Sequence, residues 1–179
     1  MNYKLFAKTL LDISREGLAY KLGRKLELGS DKSYWNYIPS YENAIEDLLE
    51  QEIQKLKEIN TLSFLDVGAG TSTIPTIMSI MGFAKSMGLE YQDLYVNLEP
   101  DWLFQGDLLD YDFKEWDVLY SYNPIQNEAL MIKGIDNIIA TMKSGAIFYF
   151  LPASGAGQYL KKLGGRNLKG SAIIKYVKP

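Results

Sequence analysis

The sequence predicts an open α/β fold: a three-layer, doubly wound, mostly parallel sheet with helices on both faces. Three observations predict it. Between about residues 40 and 152, apolar runs of strand length alternate with segments of helical periodicity, the order that a doubly wound sheet requires. The run Ser63-Phe64-Leu65-Asp66-Val67 is apolar enough to suit a strand buried on both faces. It leads directly into Gly68-Ala69-Gly70 and then into a helical pattern. Such a strand–glycine loop–helix unit lets a ligand approach the backbone without meeting a Cβ and turns helix N–H groups towards it.

Composition narrows the chemistry. The 179 residues suit one domain (1–179) with its own core, and 47% hydrophobic and 23% charged residues are those of an ordinary globule. There is no cysteine, which removes disulfides, thiolate metal sites and thiol nucleophiles. There is no histidine either, which removes the commonest general base and transition-metal ligand, so a metal site is not expected. A net charge of −3 gives no global attraction to nucleic acid. No apolar run approaches membrane-spanning length, and a cytoplasmic protein is the expectation.

In chain order, residues 2–28 read as helix, broken near Gly17, with Leu5, Phe6, Leu10 and Ile13 on one face. The segment Tyr34-Trp35-Asn36-Tyr37-Ile38-Pro39 suits either a lid over a ligand or a plug against the domain. Residues 1–39 are thus a helical and aromatic extension, and 40–179 the core. Ser40 caps an amphipathic helix with Ile45, Leu48, Leu49, Ile53, Leu56 and Ile59 on one stripe, ended by Asn60. After the glycine loop a helix is expected from about Thr73 to Met81, stopped by Gly82.

Strand two is expected over Phe83–Leu89, ending at Glu90, about 20 residues beyond Gly70. The rival is Leu94–Leu98 ending at Glu99. It would leave almost no chain before strand three at Trp102–Gln105, and a parallel crossover needs about a dozen residues. Strand four is Asp117–Ser121 and runs into Tyr122-Asn123-Pro124-Ile125. A long helix carrying Leu130, Ile135, Ile138, Ile139 and Met142 inward follows, closed by Ser144-Gly145. Strand five is Ala146–Leu151, Gly155–Leu163 holds a short helix, and Ser171–Val177 is the last strand.

Three ligands compete for the glycine loop. A P-loop needs Gly-Lys-Ser/Thr, which is missing, and a dinucleotide fingerprint wants glycine where Thr73 stands. Asp66-Val67-Gly68-Ala69-Gly70 resembles the Asp/Glu-x-Gly-x-Gly loop of class I (Rossmann-like) S-adenosylmethionine-dependent methyltransferases. Gly106-Asp107 after strand three and Asn123-Pro124 after strand four resemble that family's later positions in the same order. The resemblance covers roughly residues 40–152. Ile125 and Gln126 depart from the family's amino-methylating Asp/Asn/Ser-Pro-Pro-Tyr/Phe motif, and the C-terminal end looks trimmed, without the usual longer helix and two-stranded hairpin.

The resemblance implies S-adenosylmethionine as cofactor. It implies Asp66, Gly68, Ala69 and Gly70 as the floor of the site and Glu90 on the ribose hydroxyls. Asp107 would accept from the adenine amino group while the Leu108 N–H donates to the ring. It further implies transfer to an acceptor, nitrogen by preference, beside Asn123, Pro124 and Tyr122, with Tyr120 as an alternative wall. The acceptor is a protein or small molecule, because the partial motif does not support nucleic acid. A methyltransferase-fold binding or scaffold protein is the alternative function, and a nicotinamide-dependent oxidoreductase a more distant one.

Overall fold

The computed structural model describes residues 42–179. The helix expected over 2–28, the aromatic segment Tyr34–Pro39 and the Ser40 cap lie outside the described residues. The elements are α1 (Glu42–Gln51), β1 (Ser63–Val67), α2 (Thr73–Ile80), β2 (Lys85–Glu90), α3 (Asp93–Leu98), β3 (Leu103–Gln105), β4 (Val118–Ser121), α4 (Glu128–Thr141), β5 (Ile147–Phe150), α5 (Ala156–Lys162), β6 (Arg166–Asn167) and β7 (Ile174–Val177). One seven-stranded sheet has the order β3-β2-β1-β4-β5-β7-β6. The first five strands pair in parallel, and β7 runs antiparallel to both β5 and β6.

Alternation along β1 builds the two cores, because successive side chains leave a strand on opposite faces. Leu65 and Val67 join Met131, Ile135 and Ile138 of α4 and Leu160 of α5 on one face. Phe64 joins Ile45, Leu48 and Leu49 of α1 and Ile74, Ile77 and Met78 of α2 on the other. Asp66 therefore leaves β1 on the α2 side. At the N-terminal edge, Asp117 holds the start of β1 through Ser63 N–H (2.9 Å) and pairs with Lys143 at 2.6 Å. Partial burial raises its pKa, but the bonds from Lys143 and Ser63 outweigh that and hold the carboxylate below its usual range. No described helix is long and apolar enough to cross a membrane.

Two expectations need correction. The first helix stops at Gln51, and Ile53–Lys55 and Ile59–Thr61 are short 3-10 turns. The apolar stripe continues, but Glu52 leaves the helix and reaches the sheet. Its Oε2 accepts from Tyr149 O–H at 2.9 Å and from Lys175 Nζ at 2.5 Å. Burial, followed by the charge of Glu52, pushes the Tyr149 phenol well above its usual range and keeps it a donor. The second correction concerns the C-terminal end. It is short, yet it forms the two-stranded hairpin, because Arg166 and Asn167 pair with Lys175 and Ile174.

Replacing Glu52 by Ala strands a half-buried ammonium and a buried phenol. The cost expected for such unpaired groups is about 1–3 kcal/mol, a fall in Tm of roughly 2–12 °C for a chain of this size. Thermal denaturation of Glu52→Ala with an unchanged midpoint would show that the Glu52 bonds to Tyr149 and Lys175 add nothing to stability.

Candidate functional site

The site residues converge at the C-terminal ends of β1 to β4, where the order reverses between β1 and β4, the place at which open α/β sheets bind ligands. The loop after β1 is shaped by two glycines in the left-handed region, Gly68 at φ 76° and Gly70 at φ 59°. Gly68 N–H and Ala69 N–H both donate to Leu89 O, at 2.8 and 3.1 Å, which lays the loop over the end of β2. Gly88 makes room for it, since a Cβ there would meet the Ala69 methyl group at 2.5 Å.

Gly68 has a second constraint. A Cβ built on it would lie 2.7 Å from Pro124 Cγ, well inside contact distance. The sequence reading expects a side chain here to enter ligand space. In the structure Pro124 occupies that side of the glycine instead, so substitution strikes the loop after β4 before it reaches any ligand.

Two carboxyls lie beneath the loop. Asp66 is 3% exposed and makes no hydrogen bond among the described residues. Burial, followed by the nearby Glu90, pushes its pKa well above the usual carboxylate range. Glu90, 6% exposed at the end of β2, accepts from Gly70 N–H at 2.7 Å and Gln92 N–H at 2.9 Å. Burial raises its pKa too, and the backbone donors at Gln92, Gly70 and Tyr91 only partly offset that. Three backbone donors still leave part of the carboxylate's acceptor capacity for a ligand hydroxyl.

Glu99, the rival acid, sits just past the end of α3 rather than at a strand end. Its Oε2 accepts from Ser72 N–H at 2.6 Å. It thereby places a negative charge at the N-terminus of α2, where the helix dipole favours one. Sequence reading had no signal for this contact, because it depends on how α3 folds back over the loop.

Asp107 is half-buried after β3, and its Oδ1 accepts from Leu109 N–H at 2.9 Å in a tight turn. The Leu108 side chain is buried against Gly134 of α4, its carbonyl accepts from Asn137 Nδ2 at 2.9 Å, and its N–H makes no hydrogen bond among the described residues. This pairs an acceptor with a donor at one edge.

On the other side of the loop, Asn123 is 1% exposed and has φ 33°. Its Nδ2 donates to Ile125 O at 3.1 Å, and its Oδ1 accepts from Ser154 O–H at 2.9 Å. One lone pair remains on that oxygen. Tyr122 is half-buried beside it, whereas Tyr120 is fully buried in the core with Phe64 and Tyr149 and walls nothing. Ser154, from the loop after β5, reaches this edge although no motif announced it.

No family model matches this sequence, and no curated protein matches it. Solved structures do. An RNA methyltransferase from Salinibacter ruber, solved with S-adenosyl-L-homocysteine, is 14% identical with a TM-score of 0.54, over 79% of this chain and 94% of that one. The PH0226 protein from Pyrococcus horikoshii is 18% identical with a TM-score of 0.50, over 68% and 63%. The YcgJ protein from Bacillus subtilis is 12% identical with a TM-score of 0.46, over 57% and 48%, so this chain spans about half that protein's length. The chain has the class I methyltransferase fold.

The Asp66 environment gives a pH test with a definite sign. Its folded pKa is raised, so its stability contribution is complete below the unfolded carboxylate pKa of about 3.9 and is lost as pH rises towards the folded value. Asp66→Asn resembles the neutral form. It is expected to raise Tm at pH 7, with a gain that shrinks towards zero near pH 4, measured by calorimetry across that range. A loss of stability at pH 7 would mean that the charge is compensated in the folded state.

Proposed function

We propose that this protein is an S-adenosylmethionine-dependent methyltransferase acting on a nitrogen of a protein or small-molecule acceptor. The observation that carries the reading is Asp66, a buried carboxyl without a hydrogen bond among the described residues, beside Glu90 and beneath a loop of two left-handed glycines. A buried polar group left unpaired is costly, and a ligand rich in hydroxyl and amino donors offsets that cost. The class I fold and the solved neighbour containing S-adenosyl-L-homocysteine support the choice of ligand.

In this reading Asp66, Gly68, Ala69 and Gly70 form the floor of the cofactor site. Glu90 accepts from the ribose hydroxyls with the acceptor capacity that its backbone donors leave. Asp107 and the Leu108 N–H face the adenine edge, one accepting and one donating. When bound, the cofactor supplies a methyl group on a positively charged sulfur. The chain's part is to hold the acceptor in line with it, and alignment alone can supply a large share of the rate. Proline has no N–H, so Pro124 contributes only its carbonyl as an acceptor. With the remaining lone pair of Asn123 Oδ1 it can orient an amine, while Tyr122 flanks the space. A chain without histidine suits a nitrogen nucleophile, whose proton can pass to carboxylate, phenol or water.

The test is calorimetric titration with S-adenosylhomocysteine. Glu90→Ala is expected to weaken binding by about one to three decades, the worth of charge-assisted hydrogen bonds. Glu99→Ala removes the acceptor of Ser72 N–H and the negative charge at the start of α2, and should hold affinity within a few-fold while lowering Tm. The reverse ranking would place the ribose on Glu99, and no binding by the wild-type protein would favour a scaffold that has kept the fold alone.

A further inference from the structure

We propose that Ser154 is a positioning residue that fastens the cofactor loop to the acceptor loop, acting through Asn123 and Pro124. The proposal rests on the methyltransferase reading of this edge and adds how its two halves are held in register.

Asn123 is the strained point of this edge. Its φ of 33° lies where side-chain-bearing residues are seldom found. The following proline further restricts the residue before it, favouring extended backbone. Such a conformation persists only where its surroundings over-determine it. Here they do so from both ends of the amide, through the Nδ2 bond to Ile125 O at 3.1 Å and the Ser154 hydroxyl on Oδ1 at 2.9 Å. The Ile125 bond is local and moves with the loop. The Ser154 bond crosses 31 residues and ties the loop after β4 to the loop after β5.

The direction of Asn123 sets the direction of the next ring. Pro124 stands against Gly68 on the side where a Cβ would point, leaving less than a methyl group's space. Gly68 opens the turn that places Ala69 and Gly70 over Asp66 and Glu90. A line of contacts thus runs from Ser154 to Asn123, Pro124 and Gly68, joining the loops after β5, β4 and β1. The Ser154 hydroxyl is also accepted into the start of α5, taking a long bond of 3.4 Å from Ala156 N–H, so its oxygen is fixed relative to a helix. Among the described residues no basic side chain bonds to it, and its proton is committed to Asn123. Ser154 positions; it is not a nucleophile.

The experiment uses the 179-residue chain with two readouts, amide hydrogen exchange of residues 66–72 without ligand and calorimetric affinity for S-adenosylhomocysteine. Ser154→Ala is expected to speed exchange of the loop amides and weaken the affinity, each roughly five- to tenfold, about the worth of one neutral hydrogen bond. Ser154→Thr, which keeps the hydroxyl, restores both. In an Asn123→Gly background, where glycine takes positive φ without help, adding Ser154→Ala changes neither. Unchanged exchange in Ser154→Ala, or the same loss in the Asn123→Gly background, would overturn the proposal. If the wild-type protein does not bind S-adenosylhomocysteine, the methyltransferase reading fails, and the exchange measurements still decide whether Ser154 holds the loop.

Discussion

Two carboxyls buried side by side at the ends of adjacent strands set the terms for the rest of this structure. Asp66 and Glu90 both leave the sheet on the α2 side, and burial raises the pKa of each. Like charges brought together away from water cannot both ionise cheaply. The fold limits the cost by turning donors onto one of the pair. Gly70 N–H and Gln92 N–H close on Glu90, and only a loop with Gly68 and Gly70 in the left-handed region brings the first of these within reach. Asp66 receives no such relief among the described residues. A site that keeps an unsatisfied carboxyl gives up stability for ligand recognition, a trade common where function requires it.

The surrounding elements hold that arrangement from three sides. Parallel pairing of β1 with β2 and β4 brings three strand ends together at the point of reversal. Glu99 holds the start of α2 from above the loop, and Pro124 blocks Gly68 from the β4 side. Glu90, Glu99 and the Pro124 ring therefore hold the loop between them. The proposed methyl transfer depends on alignment and has use for such a loop, because small displacements of either reactant reduce the rate sharply.

What the sequence revealed and what it hid divide along the range of the interactions. Glu90 was legible because strand length and crossover length are local constraints, and they exclude Glu99 as a strand end without any knowledge of packing. The parallel core was legible for the same reason, through alternating periodicities. The end of α1 was not, because Glu52 leaves the helix for partners 97 and 123 residues away. Nor was β6, whose two residues carry too little pattern and are defined only by pairing with β7. The contact of Gly68 with Pro124 and the bond of Asn123 with Ser154 fall in the same class. Sequence motifs marked the two loops, and only the fold shows that they lean on one another.

The measurement that bears most directly on the central claim is a crystal structure of the protein with S-adenosylhomocysteine. The account predicts the ribose hydroxyls within about 2.5–3.2 Å of the Glu90 carboxylate, a hydrogen-bond distance. It also predicts the adenine edge at Asp107 and Leu108, and a donor from the ligand or a water it orders on Asp66. Density placing the ribose on Glu99, or a ligand bound elsewhere with Asp66 still unpaired, would contradict it.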